Sequence, residues 1–154
     1  MRQKKDARLI ILGEGAERNR ILEEAHTLGV SEWVDLPGYA ENPYVYMKKA
    51  DVFVLSSISE GLPNVLIESI ALGTPVVSTD CGGPREVLNS SALGELVPVG
   101  DSEAMAAAIC KLLDEPPSPS VIKARAKDFD LPVIGEKYLN CFCRFLEEGG
   151  CGSR

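Results

Sequence analysis

The chain has one histidine, His26, one tryptophan, Trp33, and only 6 % aromatic residues among its 154. A single imidazole excludes a centre built from several histidines, and a zinc site needs about four ligands in paired spacing. The cysteines Cys81, Cys110, Cys141, Cys143 and Cys151 are odd in number, and only Cys141 and Cys143 stand close together. They read as reduced structural thiols, with Cys141 and Cys143 serving packing, and give neither a disulfide framework nor a metal site. A positive excess is also missing: 16 Lys and Arg face 23 Asp and Glu, for a net charge of −7. That balance repels phosphate backbones and argues against a nucleic-acid partner. Long apolar runs are absent too. The most apolar stretch, Val65 to Val77, is broken by Glu68, Gly73 and Pro75, and a membrane span needs ~20 apolar residues. The basic start MRQKKDAR is followed by LIIL alone before Gly13, short of the ~7–15 residues of a signal-peptide core. The expectation is a cytoplasmic chain whose membrane association, if any, comes through a partner.

What is present is ordinary globular composition, 45 % hydrophobic and 25 % charged, in a length that suits one domain. Short apolar runs alternate with helical segments. Strands are expected at 7–12, 33–36, 51–56, 75–79 and 94–99. Helices are expected at 16–28, 43–49, 63–72, 85–88, 102–113, 120–128 and 132–147, with Gly29 closing the first and Asp101 capping the fifth. This alternation predicts an α/β fold, a Rossmann-like parallel sheet with helices on both faces. LIIL and VFVL read as strands buried on both sides. Residues 1–6 form an N-terminal extension, 7–147 the domain and 148–154 a flexible tail.

In such a sheet ligands gather at the carboxyl ends of the strands. The residues there are Gly13 and Gly15 after the first strand, Gly38 and Tyr39 after the second, SSISEGLPN after the third, and Gly82 and Gly83 after the fourth. Glycine punctuates any turn, but its recurrence at several such loops leaves main chain open to a ligand. The helix 63–72 is apolar on nearly every side and is expected to be buried. At roughly 100° per residue, Glu68 shares its face with Asn64, Val65, Ala71 and Leu72. A carboxylate there is paired, protonated, aimed at a cavity, or at an edge reaching water. Glu60, eight residues earlier, can face the same crevice from the loop. The free first-turn amides of Asn64 and Val65 form a place for phosphate. Carboxylates for vicinal hydroxyls beside amides for phosphate describe a pocket for a nucleotide sugar or another phosphorylated polyol.

The segment SISEGLPNVLIESIALGTPVVSTD, with Glu60 and Glu68 separated by seven residues, resembles the core motif of the group 1 glycosyltransferases, family 4, of GT-B fold. LIILGEGAERNRI, VDLPGYAENPYVYMKKADVFVLSS, GGPREV and GELVPVGDSEAMAAAI are similar as well, and the likeness runs from about residue 7 to about 147. The resemblance implies the C-terminal, sugar-donor-binding half of such an enzyme, lacking its first strand and helix and its acceptor-binding domain. It implies retaining transfer from a UDP- or GDP-sugar, with no cofactor and no metal. Glu60 would then bind hydroxyls of the sugar near the reacting carbon, as the catalytic glutamate, and Glu68 the ribose. The main chain of Gly61, Leu62 and Asn64 would face sugar and diphosphate. Gly38, Tyr39 and Ala40 would border the base, and Gly13 and Gly15 the diphosphate. Arg85 can approach phosphate from the Gly-Gly-Pro loop. Nothing in the spacing of Arg2, Lys4 and Lys5 matches the family's basic diphosphate motif. The closing helix would leave Phe142, Phe145 and Leu146 partly uncovered. From this follows a homodimer or a pairing with a separate N-terminal-half chain. The resemblance also implies a role in polysaccharide or glycolipid synthesis and a chain inactive without an N-terminal acceptor domain. A stand-alone nucleotide-sugar-binding module and a non-catalytic remnant are the alternatives.

Overall fold

The computed structural model describes residues 7–149, with side chains through residue 146. Both proposed terminal segments, the early residues Arg2, Lys4 and Lys5, and Cys151 lie outside the described residues or their described side chains. The chain forms two compact units that meet in sequence between Pro43 and Tyr44.

In the first unit, strand β1 (Leu9–Leu12) pairs in parallel with β2 (Val34–Gly38), Leu9 opposite Val34 and Leu12 opposite Gly38. Parallel strands cannot be joined by a hairpin, and helix α1 (Arg18–Thr27) makes the crossover. Gly29 follows it with φ +69, the left-handed turn expected of a helix terminator. The Arg18 guanidinium donates to the Leu36 carbonyl at 2.8 Å and ties α1 to β2. One expectation is corrected here. Leu9 and Ile10 remain 49 % and 47 % exposed, so LIIL is not buried on both sides. Among the described residues β1 has a paired neighbour only in β2, and a run of apolar residues is buried only where layers exist to cover it.

In the second unit, α2 (Tyr44–Lys49) leads to β3 (Phe53–Leu55), α3 (Asn64–Leu72), β4 (Val76–Thr79), α4 (Pro84–Val87) and β5 (Gly94–Val97). Helices α5 (Ser102–Asp114), α6 (Pro119–Ala126) and α7 (Leu131–Gly149) follow. The three strands form a parallel sheet in the order β3-β4-β5. Every residue of the central β4 is buried. Successive side chains point to opposite faces. Val76 therefore packs with Leu66 and Ile70 of α3 and Ile122 of α6, whereas Val77 packs with Ala108 and Leu112 of α5. Helices thus cover both faces, and each fully buried aliphatic side chain contributes about 1.5–3 kcal/mol.

The local signals for these helices act as expected. The Asp101 carboxylate accepts from the Ala104 amide at 2.8 Å and caps α5, which is worth ~1 kcal/mol. Gly73 ends α3 at φ +85, with its amide and that of Thr74 returning to Ile70 and Ser69. A side chain at Gly73 would be strained by that φ and would also meet the Lys123 side chain at 2.7 Å.

Helix α7 stands apart. Leu131, Tyr138, Leu139, Phe142, Phe145 and Leu146 are all 62–88 % exposed. Their spacing of three, four and seven residues makes one apolar stripe, and the uncovering expected for Phe142, Phe145 and Leu146 is present. Cys141 and Cys143 are exposed on this helix, which corrects their reading as packing residues: no neighbouring element covers them among the described residues. No helix there is long and apolar enough to cross a membrane.

Candidate functional site

Because β3 and β4 are parallel, the loops that follow them leave the sheet at the same end. They touch through main chain. The Gly83 amide donates to the Glu60 carbonyl at 3.2 Å, and Glu60 and Gly82 form an isolated parallel bridge. The approach is so close that a Cβ on Gly83 would lie 1.3 Å from the Gly61 carbonyl oxygen. Glycine is required here for space and not for conformation, since Gly83 has ordinary helical angles, φ −51 and ψ −35.

The Glu60 side chain is held from within its own loop. The Ser57 hydroxyl donates to its carboxylate at 2.6 Å. The buried Thr79 at the end of β4 donates in turn to the Ser57 carbonyl at 2.5 Å. Glu60 is half-buried, so the carboxylate is both anchored and reachable.

Helix α3 begins just beyond this loop, with Pro63 preceding its first residue, Asn64. The Leu66 amide returns to the Pro63 carbonyl. The helix buries only the side carrying Leu66, Ser69 and Ile70. Asn64, Val65 and Ala71 are exposed, and Glu68 is half-buried among them. The expectation of burial all round is corrected accordingly: the α3 face with Glu68 has no layer over it among the described residues. Of the states open to Glu68, the structure shows an accessible face with one partner, the Tyr44 hydroxyl, which donates at 3.3 Å. Gly61 and Leu62 are exposed between the two glutamates, and Gly82 is exposed across the main-chain contact.

Arg85 lies at this rim on α4 and is engaged by its own neighbour. Its Nε bonds one oxygen of Asp80 and its Nη2 the other, the second at 2.5 Å. Hydrogen bonding from this guanidinium, aided by its charge and opposed by slight burial, holds the Asp80 carboxyl below the usual carboxylate range. The same bonds raise Arg85.

The first unit arranges the remaining candidates. Gly13, at φ +106, donates its amide to the Gly38 carbonyl at 2.8 Å. Gly15 is open, with nothing within 4 Å of where a Cβ would stand. Gly38 is buried at φ +83, Tyr39 is 81 % exposed and Ala40 is half-buried. His26 is exposed on α1. The structure therefore brings Glu60, Gly61, Gly82 and Gly83 into direct main-chain association, places Glu68 on the adjoining helix, and groups Gly13 with Gly38.

A cavity of about 430 Å³, lined by Lys48, Asp51, Gly73, Pro75, Pro116 and Pro119 among others, lies by the amino ends of β3 and β4, away from these groups. Among the described residues no three His, Cys, Asp or Glu side chains are placed to hold a metal.

Ser57, Thr79, Tyr44 and Asp80 are the residues the sequence reading missed. Ser57 stands three residues before Glu60, the distance at which a serine in a turn reaches back to a carboxylate. Thr79 is a polar residue closing an apolar strand. Both residue types could be noted in the sequence, but the contact between them forms only once β3 and β4 have paired.

Comparison with known proteins follows the same lines. A sequence profile described as "Glycosyl transferases group 1" matches residues 1–129. The chain is 38 % identical over 146 residues to N-acetylgalactosamine-N,N'-diacetylbacillosaminyl-diphospho-undecaprenol 4-alpha-N-acetylgalactosaminyltransferase of Campylobacter jejuni, covering 90 % of this chain and 40 % of that one. It is 43 % identical over 101 residues to the lipopolysaccharide core biosynthesis glycosyltransferase LpsE of Rhizobium meliloti, covering 66 % of this chain and 30 % of that one. Among solved structures, the lipopolysaccharide outer core galactosyltransferase WaaB superposes with a TM-score of 0.82 at 22 % identity, over 89 % of this chain and 40 % of that one. HepE of Anabaena, solved with UDP, superposes with a TM-score of 0.79 at 20 % identity, over 91 % and 42 %. The matches thus cover 30–42 % of the length of these proteins, and the fold is that found in one half of GT-B glycosyltransferases. With that profile matched across most of its length, the chain belongs to the group 1 glycosyltransferase family.

Proposed function

We propose that the chain is the sugar-donor-binding half of a retaining glycosyltransferase, taking a UDP- or GDP-sugar and acting in the synthesis of a surface polysaccharide or glycolipid. The observation that carries the reading is the anchored Glu60 carboxylate beside the open amino end of α3, with Glu68 one helix face further on. An ionised carboxylate accepts sugar and ribose hydroxyls in charge-assisted bonds, which are about twice as strong as neutral ones. The free amides of Asn64 and Val65, at the positive end of the helix dipole, suit the diphosphate. In transfer, the bond between the anomeric carbon and the phosphate oxygen breaks, the nucleoside diphosphate leaves with its electrons, the acceptor hydroxyl oxygen bonds the anomeric carbon, and the hydroxyl proton passes to the departing phosphate oxygen. The amides of α3 stabilise the departing charge in this scheme, and Glu60 holds the sugar against the acceptor. By the family resemblance, Gly13, Gly15, Gly38, Tyr39 and Ala40 of the first unit are assigned to the diphosphate and base, and Arg85 serves phosphate once released from Asp80. No cofactor or metal takes part.

Several named relatives support the pathway class, including the lipopolysaccharide core glycosyltransferases LpsE and LpsD of Rhizobium meliloti. HepE binds UDP, and the pneumococcal O-GlcNAc transferase GtfA was solved with UDP and GlcNAc. Transfer needs an acceptor held in line with the sugar, and orientation supplies much of the rate. The chain on its own is therefore a binder with little transfer activity. An acceptor-binding region, in a separate chain or elsewhere in a longer protein, completes the enzyme and covers the apolar face of α7.

The test separates the two glutamates. Glu68→Gln weakens binding of the bare nucleoside diphosphate, whereas Glu60→Ala weakens only the additional affinity contributed by the sugar. Equal losses for nucleotide and nucleotide sugar in Glu60→Ala would remove the sugar role of Glu60. Unchanged nucleotide affinity in Glu68→Gln would remove the ribose role of Glu68.

A further inference from the structure

The Ser57 hydroxyl that reaches Glu60 and the Thr79 hydroxyl that reaches Ser57 have no part in the scheme above. Ser57 has one hydroxyl hydrogen, and it goes to Glu60 Oε1 at 2.6 Å. Among the described residues this is the only hydrogen bond of that carboxylate, so Oε2 is left to a ligand. The Ser57 main chain is in turn fixed by Thr79, which is 3 % exposed and donates its hydroxyl to the Ser57 carbonyl at 2.5 Å. Thr79 sits on the central strand β4, whose four residues are all buried. The carbonyl of Glu60 is held separately by the Gly83 amide. Glu60 is therefore fixed at its main chain by the β4–α4 loop and at its carboxylate by a relay running from β4 through Thr79 and Ser57.

We infer that Ser57, held by Thr79, is a positioning residue that keeps the Glu60 carboxylate in one orientation, with Oε2 presented to the hydroxyls of the bound sugar. The role in sugar binding rests on the functional reading above; the orientation of the carboxylate does not. The size of the effect follows from rotamer counting. A freed side-chain torsion samples three staggered wells, and apparent affinity falls by the fraction of molecules in the competent one. Releasing one torsion of Glu60 costs about threefold in affinity, and releasing two about tenfold. A residue that merely stabilised the loop would weaken nucleotide and nucleotide sugar alike.

The experiment has two arms on the same proteins: wild type, Ser57→Ala, Ser57→Thr, Thr79→Val and Thr79→Ser. In the first arm the Glu60 carboxylate carbon is followed by NMR with no ligand. Ser57→Ala and Thr79→Val are expected to shift or broaden its signal, and the hydroxyl-retaining Ser57→Thr and Thr79→Ser to preserve it, each protein being checked for a cooperative melting transition. A Glu60 signal identical in wild type and Ser57→Ala overturns the inference. In the second arm UDP, GDP, UDP-N-acetylglucosamine and GDP-mannose are titrated. Ser57→Ala is expected to lose about three- to tenfold in affinity for the preferred nucleotide sugar and nothing for its bare nucleotide, with Ser57→Thr restoring the loss. Equal losses for both ligands overturn the positioning role in sugar binding. A Glu60 signal that responds in the first arm, in a wild type that binds no ligand of the second, upholds the relay and refutes the donor-binding reading.

Discussion

Replacing Gly83 by alanine tests the main-chain clamp around Glu60 without altering any charged or hydrogen-bonding side chain. Its helical angles suit alanine, and alanine's smaller unfolded-state entropy alone would stabilise the fold by about 0.4–1 kcal/mol. Against this stands the close approach. The new Cβ would meet the Gly61 carbonyl oxygen at 1.3 Å, its carbon at 2.4 Å and the Glu60 carbonyl oxygen at 3.1 Å. These are main-chain atoms and cannot rotate away. The loops must part by about 2 Å to restore ordinary contact distances. That separation breaks the bond from the Gly83 amide to the Glu60 carbonyl, present at 3.2 Å, at a cost of about 1 kcal/mol. Overpacking adds about 1–3 kcal/mol, which against the alanine gain leaves a net destabilisation of about 1–4 kcal/mol. Urea unfolding reads it as a lower midpoint at constant slope. Gly61→Ala is the internal control. It lies across the same contact but has nothing within 4 Å of its Cβ position, and should stay within about 0.5 kcal/mol of wild type. If Gly83→Ala and Gly61→Ala unfold at the same urea concentration, the clamp does not exist as described.

Other outcomes follow from burial and charge. Ile122→Ala removes a side chain with 0 % exposure between α6 and the sheet and should cost about 2–5 kcal/mol by thermal or urea unfolding. Phe142→Ser, on the uncovered face of α7 at 62 % exposure, should change the stability of the chain by no more than about 0.5 kcal/mol. The depressed Asp80 carboxyl makes its pairing with Arg85 favourable above the ordinary carboxylate range of about 4. That contribution disappears as pH falls through the still lower folded value. Asp80→Asn removes it at every pH, so the stability gap between wild type and variant should be constant at neutral pH and narrow as pH falls below about 4. A gap that widened on acidification would mean that the pairing is unfavourable.

Much of the fold was legible because its signals are local. The glycines after α1 and α3 and the aspartate before α5 act as terminators and caps, and each apolar run became a strand within a few residues of its expected place. Burial was less legible, because it depends on what covers an element. VVST and LIIL are both short apolar-led runs, yet the first lies between two strands with helices on both sides and the second, among the described residues, pairs with β2 alone. The apolar circumference of α3 misled for the same reason: composition cannot show that Val65 and Ala71 stay exposed among the described residues. For the candidate site, the paired glutamates were visible through their spacing and their setting in EGLPNVLIE. The partners that hold them were not. Thr79 reaches Ser57 across 22 residues, and that contact exists only once β3 and β4 have paired. The bidentate capture of Arg85 by Asp80 is local, five residues apart, but an arginine beside a glycine-rich loop reads from sequence as a phosphate ligand.

The most direct test of the account is calorimetric titration of the purified chain with UDP, GDP, UDP-N-acetylglucosamine and GDP-mannose. The account predicts binding of one nucleotide class, with Kd between about 1 μM and about 1 mM, and tighter binding of the matching nucleotide sugar. Silence across all four ligands would contradict the claim that the anchored Glu60, Glu68 and the amino end of α3 form a sugar-donor site in this chain.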